Sequence, residues 1–326
     1  MRAPAHVLDV HLDEQSLAEQ LAVDARRGLT SRPKALAPKW LYDKRGSDLF
    51  DEITRLPEYY PTRCEQQILE RAAPEIASLS GADTLVELGS GTSTKTRVLL
   101  DALAGAGTLR RFVPFDVSEP TLRDASRVIA EAYPGTQVHG VVGDFERHLS
   151  FLPTGGRRLV AFLGSTIGNL ERFRRHQLLS ELAGGFGAGD RLLLGTDLVK
   201  DPARLVAAYD DEAGVTAEFN LNVLCVLNDA LDADFRPKQF SHVASWDPSA
   251  ERMEMRLRSE VDQTVTIGAL DLAVSFGRGE QMRTETSAKF RREGIEAEAA
   301  NAGLALVAWW TDDDGDFAVS LWRPRH

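Results

Sequence analysis

The spacing of apolar and polar positions changes character three times along the chain. Between residues 13 and 29, Leu17, Leu21 and Val23, with Gly28 near the end, predict a short amphipathic helix. A loop rich in Pro and Lys follows over 31–39. Next come two aromatic segments, Trp40-Leu-Tyr-Asp-Lys-Arg-Gly-Ser-Asp-Leu-Phe50 and Leu56-Pro-Glu-Tyr-Tyr-Pro61. Aromatics bracketed by prolines are packing anchors or the wall of a pocket. From about residue 63 the pattern alternates. Helices are predicted over 64–79, 95–104, 122–132 and around 177–183, and strands over 84–88, 111–117, 137–142, 158–164 and 191–195. Apolar strands joined by helices are buried on both faces, so they predict a parallel, doubly wound sheet. Pro114 should shorten or bulge the second strand.

After Asp197 the alternation stops. Residues 200–289 mix a helical start (204–209) with strand-like stretches at 252–258 and 265–272. A helix over 293–302, closed by Gly303, and two strands over 304–311 and 317–322 complete the chain. The acidic turn Asp312-Asp-Asp-Gly-Asp316 joins these strands as a hairpin. It lacks the DxDxDG order and distant Glu of a calcium loop. The architecture expected is α/β: a Rossmann-like sheet ending in a β-hairpin and interrupted by a central insertion, with residues 1–12 as a loose arm.

Composition narrows the chemistry. A formal charge of −11 over 326 residues argues against a nucleic-acid footprint. The run Arg172 to Arg175 reads as a solvated helix face. Cys64 and Cys225 are far apart and outside any CxxC spacing, and none of the seven histidines falls at HxxxH or HxH spacing. This usage suits a reducing compartment and predicts neither a disulfide framework nor a zinc or other metal site. No export-type apolar segment or membrane-length run is present, so a cytoplasmic location is expected.

The candidate chemistry begins at Glu87, where a predicted strand runs into Gly89-Ser-Gly91. Glycines there let backbone approach a ligand, and the following helix points its N–H groups inward. A dinucleotide site wants a third glycine where Thr94 stands, and a P-loop wants a glycine before Lys95. The acid two residues before the first glycine favours a nucleoside joined to an amino acid. Asp116 closes the next strand, where a carboxylate binds a ribose diol. Asp144-Phe145 follows the third, a carboxylate for an adenine amine beside an aromatic for its face. Each acid alone reads equally as a helix cap; three at successive strand ends point to S-adenosylmethionine. The turn Gly164-Ser-Thr-Ile-Gly-Asn169 ends the fourth strand, where an acceptor should lie. Its plain alternative makes Asn169 a helix N-cap.

Four segments carry a resemblance: Leu56-Pro-Glu-Tyr-Tyr-Pro-Thr-Arg63, Val86-Glu-Leu-Gly-Ser-Gly-Thr-Ser93, Phe162-Leu-Gly-Ser-Thr-Ile-Gly-Asn-Leu170 and Leu194-Gly-Thr-Asp-Leu-Val-Lys200. Through them nearly the whole chain resembles the histidine Nα-methyltransferases of ergothioneine biosynthesis, which trimethylate histidine to hercynine. The resemblance implies a methyltransferase domain over 63–199 and 290–326, a histidine-binding domain over 11–62 and 200–289, and a flexible arm over 1–10. It implies S-adenosylmethionine as methyl donor, S-adenosylhomocysteine as product, and no metal. The partners implied are L-histidine and its mono- and dimethyl intermediates, with neither nucleic acid nor membrane; the expected state is a monomer.

Carried over by residue, the cofactor contacts implied are Gly89, Lys95, Asp116, Asp144 and Phe145. The substrate contacts implied are Tyr59, Asn169, Tyr209, Glu285 and Ser287, with Met255 and Tyr42 lining the same cavity. Tyr42 and Asn169 are the implied catalytic pair. Tyr59, Asn169 and Tyr209 are neutral donors suited to a carboxylate. Glu285 and Ser287, two apart on an extended segment, suit the two imidazole nitrogens. Without the resemblance Glu285 reads as a surface charge and the tyrosines as packing. Two other readings stay open: a methyltransferase for another amino acid or amine, and a nucleotide-sensing protein without turnover.

Overall fold

The computed structural model describes residues 6–91, 93 and 95–325. Thr94, whose side chain replaces a third glycine, lies outside these residues, as do positions 1–5 of the expected arm. The chain divides into two compact units, one of Met1–Asp13, Arg63–Leu198 and Phe290–His326, the other of Glu14–Thr62 and Val199–Lys289.

The first unit is built on an eight-stranded sheet. Its order is His6–Val10, Gln137–Val142, Arg111–Asp116, Thr84–Leu88, Arg158–Phe162, Arg191–Asp197, Phe317–Pro324, Leu304–Thr311. The first six strands run parallel, and the last two form the antiparallel hairpin. Every residue of Thr84–Leu88 and Arg158–Phe162 is buried, as their largely apolar patterns predict, with Thr84, Glu87 and Arg158 the polar exceptions. The chain leaves Thr84–Leu88 toward one edge and returns on its other side at Arg158–Phe162. The strand order therefore reverses there, and such sheets bind ligands outside the carboxyl ends at that point.

The expected loose arm is corrected by the structure. His6–Val10 pairs in parallel with Gln137–Val142 from His6↔Val138 to Val10↔Val142. The physical reason is the otherwise open edge of that strand and a space left by a glycine. A Cβ on Gly140 would stand 2.7 Å from Leu8 Cδ1, so Leu8 packs where a side chain would have been. Pro114 is accommodated within the six-residue strand, opposite Glu87. Pro61 opens a helix instead of closing a loop: Tyr60–Ser80 begins one residue before it, since the first turn needs no N–H from proline. The basic run is only partly solvated. Arg175 is buried, donating to Leu170 O and Glu298 and stacking over Phe290.

The second unit holds a four-stranded sheet ordered Lys34–Ala35, Gln281–Ala288, Arg252–Ser259, Phe240–Asp247, and a separate hairpin, Gln263–Ile267 with Leu272–Phe276. The single strand expected over 265–272 is thus two, turned at Gly268–Leu270 with Asp271 at φ 45°. The main element not expected from sequence is the helix Val215–Leu231. It buries Phe219, Val223, Leu224, Leu227 and Leu231, a helical spacing. Gly214 at φ 75° starts it. The Asp211 carboxylate caps it, accepting from Val215 N at 2.9 Å and Thr216 N at 2.7 Å. Burial opposes the charge on Asp211, but the Thr216 and Val215 bonds prevail and lower its pKa. Its contribution is therefore present above the usual carboxylate range and is lost as pH falls through the depressed value. Asp211→Ala should cost about 1–2 kcal/mol at neutral pH, read from urea unfolding; a loss no larger than that of an exposed Asp→Ala control would refute the cap.

Candidate active site

In the first unit the loop after Thr84–Leu88 turns through Gly89 at φ 70° and Gly91 at φ 48°. A Cβ at either glycine would meet nothing within 4 Å, so the backbone borders open space that a ligand can fill. The loop is tied to the neighbouring strand. Gly89 N and Ser90 N both donate to Phe115 O, and Asp116 accepts from Gly91 N at 2.8 Å and Ser118 N at 3.0 Å. Asp116 is thus held at its strand end with both oxygens aligned by backbone. Burial raises its carboxyl against the bonds from Ser118, Gly91 and Val117.

Glu87 lies beneath the loop, accepting from Ser90 Oγ at 2.6 Å and from Thr96 Oγ1. Burial pushes its carboxyl up to about 7, against those hydroxyls and the charge of Lys95. Folding thus favours protonated Glu87: its contribution is fully present below about 4.5 and is lost as pH rises through about 7. Ligand-free Glu87→Gln should therefore match the parent near pH 5 and exceed it by about 1–3 kcal/mol near pH 8. Urea unfolding at both pH values checks this, and equal stability at pH 8 would rule it out.

Lys95 is less solitary than its sequence position suggests. Its ammonium donates to Glu65 Oε2 at 2.6 Å, while Glu65 Oε1 accepts from Gly164 N at 2.6 Å. Glu65 is fully buried and joins the glycine loop to the turn that ends at Asn169. Sequence reasoning missed it, because a glutamate on an amphipathic helix reads as solvated. A signal existed in Gly195, inside the Arg191–Asp197 strand, since a lone glycine in a strand marks a close approach. A Cβ there would fall 2.2 Å from Glu65 Oε1.

Asp144 is buried and accepts from Glu146 N at 2.9 Å, and Phe145 meets Phe162 edge-on at 5.2 Å. His148 accepts from Asp144 N at 3.0 Å through Nδ1. Asn169 closes the one-turn helix Thr166–Asn169. It is not an N-cap: the next helix starts at Arg172 with Glu171 in that position. Ser165, at φ 56°, starts the turn, and its Oγ accepts from Asp197 N at 2.9 Å. A left-handed non-glycine residue anchored this way at a strand end holds the turn in one shape. Among the described residues one trio has metal-compatible spacing: ligand atoms of Cys64, Asp312 and Asp316 lie within 4.8 Å of one another. Asp312 there accepts from Phe317 N at 2.7 Å, within the hairpin turn.

In the second unit the remaining candidates converge. The Tyr42 ring meets Phe50 at 5.4 Å and Phe219 at 5.3 Å, while Tyr59 meets Phe50 at 6.0 Å and Tyr209 at 6.4 Å, all edge-on. Tyr42 is held well above its ordinary pKa by burial first, then by the charge of Glu285 and by Tyr59 and Tyr209. The Tyr42 phenol is therefore neutral near neutral pH. Glu285 and Met255 are direct partners across the sheet, both buried. Ser287 lies two residues on, on the same face. Its Oγ accepts from Tyr209 OH at 2.8 Å and from Lys289 Nζ at 2.9 Å.

The Tyr209 backbone is also fixed. Its carbonyl accepts from His242 Nε2 at 2.8 Å. Because a carbonyl only accepts, Nε2 carries the proton and Nδ1 accepts from Asn220 Nδ2 at 2.8 Å. Burial lowers the His242 pKa, keeping the ring neutral. Neither His242 nor Lys289 was singled out from sequence. Their contacts with Tyr209 span 33 and 80 residues, beyond any local pattern.

A family described as "Histidine-specific methyltransferase, SAM-dependent" matches residues 21–324. Histidine N-alpha-methyltransferase of Mycolicibacterium smegmatis is 59% identical over 311 residues, covering 95% of this chain and 97% of that protein. The protein of the same name from Mycobacterium tuberculosis is 57% identical with the same coverage. The chain belongs to the histidine-specific, S-adenosylmethionine-dependent methyltransferase family. Ergothioneine biosynthesis protein 1 of Neurospora crassa is 32% identical over 86% of this chain and 32% of that longer protein. Membership of this methyltransferase family establishes an enzyme that uses S-adenosylmethionine. The open glycine cradle and the backbone-aligned Asp116 fit a nucleoside-bearing donor. No helix among the described residues is long and apolar enough to cross a membrane.

Proposed function

We propose that this methyltransferase acts on the α-amino nitrogen of L-histidine, through mono- and dimethyl intermediates, to give hercynine, the first step of ergothioneine biosynthesis. The observation that carries the reading is the buried pair Glu285 and Ser287 on one face of the second unit's sheet. A buried carboxylate favours an acceptor side chain that offers it an N–H over an apolar one. Imidazole offers one N–H and one lone pair, matching a carboxylate beside a hydroxyl. The relatives named histidine N-alpha-methyltransferase support the same acceptor.

In this reading the first unit holds the donor through Gly89, Lys95, Asp116, Asp144 and Phe145. The second unit reads the acceptor side chain with Glu285, Ser287 and Met255. Tyr59 and Asn169 supply neutral donors for its carboxylate, Tyr209 lines the same site with its hydroxyl proton on Ser287 Oγ, and Tyr42 attends the amine. The donor supplies a sulfonium methyl for in-line displacement by a nitrogen lone pair. The protein's own work is positioning and the exclusion of water. The attacking amine must be neutral; binding selects that form, water takes the released proton, and the un-ionised Tyr42 phenol orients the nitrogen.

Incubation with methyl-labelled donor and each of the twenty amino acids tests the proposal. Label should enter histidine alone. Turnover absent with histidine, or equal across the set, would overturn it.

A further inference from the structure

The second unit buries a cation that the reading above does not use. Lys289, immediately after the Gln281–Ala288 strand, is 3% exposed, and its ammonium lies 4.6 Å from the Tyr209 ring centre. It donates to Tyr209 OH at 2.8 Å and to Ser287 Oγ at 2.9 Å. Tyr209 OH in turn donates to Ser287 Oγ at 2.8 Å. Lysine has donors only, whereas a serine hydroxyl has one proton and two acceptor positions. Both acceptor positions of Ser287 are therefore taken, one by Lys289 and one by Tyr209. The hydroxyl proton must point elsewhere.

We infer that Lys289 is a positioning residue that makes Ser287 an obligatory hydrogen-bond donor, so that the site accepts histidine only with a neutral imidazole ring. This rests on the assignment of Ser287 and Glu285 to the acceptor's side chain. A neutral ring gives its N–H to Glu285 and receives the Ser287 proton on its other nitrogen. A protonated ring would set N–H against O–H at Ser287. It would also meet the Lys289 charge in surroundings of low dielectric. The other ionisable groups facing this cluster are Glu285 on the same strand, Tyr209 on the Pro202–Tyr209 helix, and Tyr42 and Tyr59 beside them. His242 reaches it through the Tyr209 carbonyl. Among these described groups Glu285 favours a charged ring, and Lys289 opposes it. In Lys289→Met the Ser287 oxygen regains an acceptor position, and Glu285 is left to draw a charged ring.

Nitrogen-15 NMR of ring-labelled histidine bound to the intact protein with S-adenosylhomocysteine, near pH 6, reads the ring directly. The wild-type complex should show one protonated and one unprotonated ring nitrogen. K289M should show a doubly protonated ring, with kcat little affected. In an S287A background, K289M should not change the ring's protonation through this route. A doubly protonated ring in the wild-type complex overturns the inference, even if K289M fails to fold. A raised KM with an unchanged ring spectrum overturns it too, since a purely structural role predicts that result. Failure of the wild-type protein to methylate histidine defeats the functional reading itself; methylation with a doubly protonated bound ring defeats this inference alone.

Discussion

Glu285→Ala should lower kcat/KM for histidine by about 100-fold or more, with much of the loss in KM. The carboxylate is 7% exposed, faces the tyrosine cluster, and has buried Met255 as its cross-strand partner. Truncation leaves the imidazole N–H without its charged acceptor, and hydrogen bonds to charged groups are the stronger ones. It also removes a buried charge that disfavours apolar acceptors. Selectivity against an apolar amino acid of similar size should therefore shrink from both sides. Steady-state kinetics on histidine and one apolar competitor measure both effects. Unchanged selectivity would place Glu285 outside the acceptor site.

Glu65→Ala tests the first unit in the same way. Glu65 is fully buried and bonds Lys95 through one oxygen and Gly164 N through the other. Removing one partner of a buried ion pair costs about 3–5 kcal/mol. The Lys95 side chain keeps 30% exposure, so the lower end of that range is expected here. Donor affinity should fall as well, because the lysine and the Gly164 turn lose their common anchor. Gly195→Ala should reproduce the effect without touching either charge, since its methyl would fall 2.2 Å from Glu65 Oε1. Urea unfolding and donor titration check both variants. A stability loss under about 0.5 kcal/mol for Glu65→Ala, the range of ordinary surface changes, would show that the network does no structural work.

These two residues mark where the sequence is legible and where it is not. Thr84–Leu88, Gln137–Val142 and Leu304–Thr311 fall at the expected bounds. Compact runs of strand-forming residues, bounded by loops, locate such elements unaided. The glycine turn and the acids at successive strand ends were also readable, because strand, turn and helix all lie within one local stretch. Val215–Leu231 was obscured by Asn220, Asn222 and Asn228 among its apolar residues. Asn220 and Asn228 are hydrogen-bonded to strand and loop partners rather than simply solvated. Glu65 and Lys289 are buried, and His242 is half-buried, against partners distant in sequence. Hydrophobic period carries no trace of such pairings. Glu285 was recoverable only by resemblance, for its burial depends on a sheet whose pairing no single strand announces.

Which nitrogen receives the methyl groups decides the proposed reaction. The most direct measurement is the structure of the product formed from histidine and excess S-adenosylmethionine, determined by mass spectrometry and NMR. Three methyl groups on the α-nitrogen and an unmodified imidazole are expected. Methyl groups on a ring nitrogen would contradict the proposed reaction, because Glu285 and Ser287 would then be presenting the ring for reaction and not holding it aside.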